Sequence, residues 1–319
     1  MNLVITGSVA YDYLMTFPGL FRDQILPDQI ESLSLSFLVD GLVRHRGGIA
    51  TNIAYTLALL GERPRVMATV GQDFGDYRTW LEAKGVDTSA IREIPDLYTA
   101  SFFATTDRTN SQIASFYAGA MARAADLSLH ELRPRPELVV VSPNDPGAMH
   151  KYLDEATALG VPAFYDPSQQ VARVDGAELA HGLAHCAALI CNEYEYGLIQ
   201  KKTGLSDADI TRRVRLVVVT LGREGSRLQA EGRTLHIPAV PQERIVDPTG
   251  VGDAFRGGFL KGTLRGLDYE RCGRLGSLAA TYCLEEQGTQ NHHFTHAAFL
   301  ARYEANFGAD DQVREILAG

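Results

Sequence analysis

Cysteine and tryptophan are scarce in this sequence, and no long apolar run occurs. The four cysteines, Cys186, Cys191, Cys272 and Cys283, show neither CxxC spacing nor a companion histidine pattern. That argues against a disulfide framework or a zinc site, and for core thiols in a reducing cytoplasm. The one tryptophan, Trp80, is most simply a core side chain. No stretch approaches the ~18 apolar residues needed to span a bilayer. A basic excess is also missing: 30 Lys and Arg stand against 39 Asp and Glu, a net charge of −9. A duplex-binding protein would need a basic face to displace counterions. The single basic trio, Arg212, Arg213 and Arg215, reads as a solvated helix end. The opening, Met1 to Ser8, lacks a basic n-region and runs straight into a strand-like segment, so no leader peptide is expected. The chain is expected to be cytoplasmic, with neither a membrane nor a nucleic acid as partner. At 319 residues, with 45% hydrophobic side chains, it can bury a core without a disulfide or metal staple.

Two textures alternate along the chain. Leu3–Thr6, Arg65–Val70, Leu138–Val141, Ala163–Tyr165, Ala188–Ile190 and Leu216–Val219 are short apolar runs. Helical stretches separate most of them: Ile49–Leu60, stopped by Gly61; Tyr77–Lys84, stopped by Gly85; and later ones. This is the βαβ rhythm of a mainly parallel sheet with helices on both faces. Glu31–Val39 differs: Leu33, Leu35, Phe37 and Val39 alternate with serines, which predicts a half-buried strand. Tyr98–Thr106 and Gln112–Tyr117 also read as strands, with aromatic sides. The expected fold is a three-layer α/β/α domain from residues 1–12, 46–96 and 119–319, with a small β lid from 13–45 and 97–118. Helices Ala254–Leu264, Arg271–Glu286 and a stretch after His296 end the chain.

The most informative segment is Asp247-Pro248-Thr249-Gly250-Val251-Gly252-Asp253-Ala254-Phe255. Glycines just before a helix let backbone N–H groups converge, and the helix dipole adds partial positive charge there. Such a cradle suits a phosphoryl group, and Asp253 sets a carboxylate beside it. A helix-capping Asp after a Gly turn is the plainer reading of so short a motif. The segment is not a Walker A loop, since Gly-Lys-Ser/Thr is missing. It is not a dinucleotide fingerprint, since G-x-G-x-x-G is missing, which argues against an oxidoreductase. His292 and His293 are adjacent, so any regular element would point them apart, against a metal pair.

The nine-residue run resembles the C-terminal signature of the ribokinase-like (PfkB) kinase family. Arg46-Gly47-Gly48-Ile49-Ala50-Thr51-Asn52-Ile53-Ala54 resembles that family's N-terminal signature, and order and spacing agree across nearly the whole chain. Pro248 and Val251 depart from the pattern, yet neither removes a donor from the Gly250–Asp253 turn. The resemblance implies a kinase with ATP and Mg²⁺, Asp253 as base, and the N–H groups of Gly250, Val251 and Gly252 stabilising charge. It also raises a potassium ion near this loop, which Pro248 leaves open by removing a backbone donor. At the acceptor end it implies a diol held by Asp12, Gly47, Gly48 and Asn52. At the donor end, Asn192-Glu193-Tyr194-Glu195 resembles the family's Asn-x-x-Glu motif, with Glu195 holding metal through water; an ordinary helix cap is the competing reading. Thr220-Leu221-Gly222-Arg223-Glu224-Gly225 resembles its T-x-G-x-x-G phosphate turn, with Thr220, Gly222 and Gly225 at the donor.

Within the family, Ser34–Asp40, His45–Gly48, Gln112–Tyr117 and Asp166–Gln170 are similar to bacterial adenosine kinases. This implies adenosine as acceptor, with Ser8, Ser36, Phe102, Phe116 and Gln169 completing a nucleoside site. Ala118 stands where the pattern has Pro. Aromatics in amphipathic strands are more often core, and a sugar kinase for ribose or fructose, a broader purine nucleoside kinase, or a non-catalytic nucleoside-binding protein are the rival readings. Apolar faces on the lid strands lead to the expectation of a homodimer through the lid.

Overall fold

The computed structural model describes residues 1–25 and 34–318. Its strands are β1 (Leu3–Thr6), β2 (Ala10–Thr16), β3 (Gly41–Gly47), β4 (Arg65–Gly71), β5 (Asp87–Ile94), β6 (Ala100–Thr106), β7 (Gln112–Tyr117), β8 (Leu138–Val141), β9 (Ala163–Tyr165), β10 (Ala188–Asn192), β11 (Leu216–Thr220), β12 (Ser226–Ala230) and β13 (Arg233–Ile237). Its α-helices are α1 (Ile49–Leu59), α2 (Gly75–Ala83), α3 (Pro146–Leu159), α4 (Gly176–His185), α5 (Glu193–Thr203), α6 (Asp207–Arg213), α7 (Val251–Leu264), α8 (Tyr269–Leu284), α9 (His296–Phe307) and α10 (Asp311–Ala318).

Nine strands form one sheet in the order β13-β12-β11-β10-β9-β8-β1-β4-β5. It is parallel except at β12 and β13, which close one edge as an antiparallel hairpin. The inner strands are continuous apolar runs because helices cover both faces. Leu3 and Ile5 pack into the layer of α1 and α7, while Val4, between them, packs into the layer of α3 and α4. That alternation along β1 makes the three layers. Side-chain caps start the helices on one face: Asp145, Asp175, Asn192 and Ser206 each accept a backbone N–H at the start of α3 to α6.

The second sheet has four strands, ordered β3-β2-β6-β7. β3 and β7 pair antiparallel to their neighbours, and β2 runs parallel to β6. Of the alternating pattern at 31–39, residues 34–39 are irregular where a strand was expected, and 31–33 lie outside the described residues. Phe37 packs instead against Phe17 and Phe21, so alternation there served an aromatic cluster. Strand β5 and the β12–β13 hairpin had no clear signal, because both carry mixed polar and apolar residues. Arg212 does sit at a solvated helix end, paired with Asp209, and Trp80 is half-buried, stacked on Tyr55 at 5.3 Å. Among the described residues, no helix is long and apolar enough to cross a membrane.

Helix α7 lies between α1 and α8 at very close range. A Cβ on Gly257 would sit 2.6 Å from Thr56, and one on Gly258 would sit 2.4 Å from the Leu275 carbonyl oxygen. Backbone cannot yield as a flexible side chain can. Gly258→Ala is therefore expected to lower stability by ~1–3 kcal/mol through overpacking. The control is Gly197→Ala in α5, where a Cβ meets nothing within 4 Å; it should stabilise by ~0.5–1 kcal/mol. Thermal denaturation of both variants checks the pair.

Candidate active site

A cleft of about 840 Å³ lies between the C-terminal edge of the large sheet and the small sheet. It opens where the sheet's winding reverses, between β1 and β8, the usual place for ligands in open α/β sheets. Ser8, Pro143, Gln169, Asn192 and Thr220 reach it from strand ends. The N-termini of α1 and α7 reach it from below.

The small sheet contributes one transverse row. His45 pairs with Asp12, Asp12 with Phe102, and Phe102 with Phe116, across all four strands. Residues opposite one another share a face, and all four line the cleft. Phe116 is 40% exposed, an apolar ring without a covering partner. Gly47 lies behind Asp12 rather than on the cleft; a Cβ there would sit 2.5 Å from the Asp12 carboxylate. Gly48 lines the cleft with φ 96°, and a Cβ would meet the Ser8 carbonyl oxygen at 2.5 Å. No side chain fits where these two chain segments touch.

Helix α7 begins at Gly250, whose φ of 79° is left-handed. Its first intrahelical bond is from Ala254 to the Gly250 carbonyl. The N–H groups of Val251, Gly252 and Asp253 thus precede any intrahelical donor, and the helix dipole points at the cleft. Gly250, Gly252 and Asp253 line the cleft, whereas the Val251 side chain does not.

Asp253 is buried and held from two sides. Asn52 of α1 donates Nδ2 to its Oδ2 at 2.8 Å, and Arg256 Nη1 lies 3.8 Å from its Oδ1. Asn52 is oriented in turn: Gln290 Nε2 donates to its Oδ1 at 2.7 Å and to the Tyr77 hydroxyl at 2.6 Å. Tyr77 passes its own hydrogen to the Gly47 carbonyl at 3.0 Å. Arg256 reaches across to Asp166, beyond the end of β9, at 2.5 Å. Burial pushes the Asp253 carboxyl above its ordinary value, and Arg256 and Asn52 pull part of the way back. Burial likewise raises Asp166 despite Arg256. Asp12 is raised to about 6, first by burial and then by the nearby charges of Asp253 and Asp247.

On the other side of Arg256, Asn192 and Glu195 form a full capping box. Asn192 Oδ1 accepts the Glu195 N–H, and Glu195 Oε2 accepts the Asn192 N–H, each at 2.8 Å. The cap reading is therefore correct, and both residues also face the cleft. Thr220 faces it too, while Gly222 and Gly225 do not. Gly225 is needed where the β11–β12 turn passes Ile237, whose carbonyl would be 2.0 Å from a Cβ. Ser36 is exposed and away from the cleft. Sequence reasoning gave no role to Gln290, Tyr77, Asp247 or Arg256. The first two lie far along the chain from the Asn52 they orient, so no local pattern marks them.

The raised Asp12 value has a stability consequence of definite sign. Its folded-state value, about 6, exceeds the ordinary 3.8. Protonation therefore favours the folded state; that contribution is complete below about 3.8 and is lost as pH rises through about 6. At pH 8 the charged Asp12 costs on the order of 3 kcal/mol. Asp12→Asn is expected to raise the Tm of the ligand-free protein by about 2–6 °C at pH 8, and by progressively less toward pH 4. Calorimetry across that range checks it.

The chain from residue 7 to 295 matches the pfkB family carbohydrate kinase model. A nucleoside kinase of Methanothermobacter thermautotrophicus is 29% identical, over 98% of both chains. The Burkholderia thailandensis nucleoside kinase, solved in complex with inosine, superposes with a TM-score of 0.87 at 38% identity, over 96% of this chain and 99% of that one. Its complex with ADP-inosine gives 0.84 at 40%, over 96% of each. An adenosine kinase of Sinorhizobium meliloti, at 22% identity and 0.72, covers 91% of this chain and 95% of its own, and shares the fold. With the three layers, the small sheet and the glycine-led helix in place, the chain belongs to the pfkB family of carbohydrate kinases and is an ATP-dependent kinase of ribokinase-like fold.

Proposed function

We propose that this protein is a nucleoside kinase that moves the γ-phosphoryl of Mg·ATP onto the 5′-hydroxyl of a purine nucleoside. The observation that carries the reading is the row His45–Asp12–Phe102–Phe116, which puts an anionic diol acceptor beside two aromatic rings on one face of the small sheet. A free pentose could use Asp12 but would leave Phe102 and Phe116 without a partner; a purine offers them a flat face. The inosine-bound relative supports a purine acceptor. Adenosine was the acceptor implied by the resemblance, and adenosine kinase is represented only by a likeness of fold, so adenosine and inosine are both proposed acceptors.

In the step itself, the 5′-oxygen attacks the γ-phosphorus, the bond to the β–γ bridging oxygen breaks, and the hydroxyl proton passes to Asp253. The carboxyl is suited to this because burial raises it toward the working pH. Asn52 and Arg256 fix its two oxygens. The free N–H groups at the start of α7 face the charge that grows on the phosphoryl oxygens. Gly48 and Asn52 complete the diol grip with Asp12. Glu195 lines the cleft beside Asn192, and a carboxylate oxygen suits a hard cation that keeps its water shell. When bound, magnesium would offset phosphate charge there, held by Glu195 through water. Closure of the small sheet would exclude water and limit ATP hydrolysis.

The apolar side chains Leu42, Val43 and Ile113 are exposed on that sheet, which supports the homodimer reading; a monomeric mass in solution would remove it.

Two measurements test the proposal. Coupled ADP release across adenosine, inosine, guanosine, ribose and fructose should show kcat/KM higher for the purine nucleosides; equal activity with ribose points to a sugar kinase. Asp253→Asn should lower kcat by ~10²–10⁴ while largely sparing nucleoside affinity. Near-normal turnover would refute the base assignment, and binding without any AMP or IMP formed would point to a non-catalytic binding protein.

A further inference from the structure

Helices α3 and α4 lie side by side on the face of the sheet away from α7. Each presents two groups four residues apart, His150 and Asp154 on α3, His181 and His185 on α4, so each pair projects from one side of its helix. The pairs converge. Around the Asp154 carboxylate stand His181 Nε2 at 2.8 Å, His150 Nε2 at 3.4 Å and His185 Nε2 at 3.9 Å. We propose that His150, Asp154, His181 and His185 form a surface site for a divalent late transition-metal ion of the zinc class, tying α3 to α4.

Two observations carry this. The first is spacing: one ligand atom from each of His150, Asp154 and His181 lies within 4.8 Å of the others. Donors around a tetrahedral zinc ion sit ~3.3 Å apart, so little contraction is required. The second is the outer shell. His150 Nδ1 lies 3.0 Å from Glu178 Oε2, and His185 Nδ1 lies 2.8 Å from the His181 carbonyl. Both oxygens can only accept, so both Nδ1 atoms carry hydrogen. In the neutral rings this leaves the Nε2 lone pairs directed at the centre, the arrangement that outer-shell partners impose on metal-binding histidines.

The nitrogen-rich set selects among metals. Three imidazoles with one carboxylate suit zinc, copper, nickel or cobalt ions and disfavour magnesium. This separates the site from the one proposed at Glu195, which suits a hard cation held through water. On loading, the His181 ring proton passes from Nε2 to Nδ1, freeing the Nε2 lone pair, and the stacked His150 and His181 rings, now 3.7 Å apart and 8° from parallel, splay to bring the ion into both ring planes. Their exposure leaves room for that motion.

The test is calorimetric titration of zinc chloride into the chelator-treated, nucleotide-free full chain. One equivalent should bind, and the Tm should rise with zinc. His150→Ala/His181→Ala should weaken binding at least ~100-fold and abolish the Tm response. Glu178→Gln, which touches only the outer partner of His150, should weaken it about tenfold. Magnesium chloride should produce no Tm rise that depends on His150 and His181. The proposal is overturned if the wild type takes up no zinc, or if zinc binds the double variant or Glu178→Gln as tightly as the wild type.

Discussion

The hydrogen bond from Asn52 to Asp253 joins two helix N-termini at one buried carboxylate, and the rest of the cleft is arranged around that junction. It exists only because α7 lies against α1 at backbone distance, which Gly257 allows. A larger residue at 257 or 258 would lift α7 and carry Asp253 away from Asn52. Helix packing near the middle of α7 therefore sets the position of a carboxylate at its start. The glycines of the helix interior lower its intrinsic propensity, and the close packing they permit offsets this.

The second constraint is electrostatic. Asp166 and Asp253 are buried with Arg256 as the cation between them, and Asp12 lines the same cleft as Asp253. Arg256 bridges Asp166 and Asp253 but not Asp12. That asymmetry divides the roles. Asp253 is raised by burial and restrained by its partners, while Asp12 is raised by burial and by its neighbours' charge, with no cation to restrain it. A ligand hydroxyl pair donating to Asp12 would supply the missing stabilisation, so part of the strain stored in the free protein is released on binding.

What could be read from the chain divides along the same lines. The loop-to-helix run at Asp247–Phe255 and the start of α1 at Arg46–Ala54 were legible because each is a local device: glycines, a helix start and a polar side chain within nine residues. The buried strands were legible because double burial leaves an unbroken apolar run. Strand β5 was not, since as the sheet's edge strand it mixes Asp87, Arg92 and Glu93 among its apolar residues. The serine–leucine alternation near 31–39 misled because period two describes one packed face and says nothing of a hydrogen-bonding neighbour; Phe37 found its partners in Phe17 and Phe21. Gln290 and Tyr77 were invisible for the opposite reason, since their role is defined only by contact with Asn52.

The two histidine pairs follow this rule as well. His150 with Asp154, and His181 with His185, are each a visible four-residue spacing on a helix. Neither is a site until the sheet order places β8 beside β9 and so lays α3 against α4 in parallel register. The same adjacency of β8 and β9 brings Asn144 and Gln170 together at the cleft's edge, where Gln170 donates to the Asn144 carbonyl at 2.6 Å. One strand pairing thus serves both places. Residues just beyond the strands' C-terminal ends build the cleft, and residues on the following helices meet on the outer surface. An ion joining those helices would stiffen the connection that carries Gln169 and Gln170, without contributing a donor to the cleft itself.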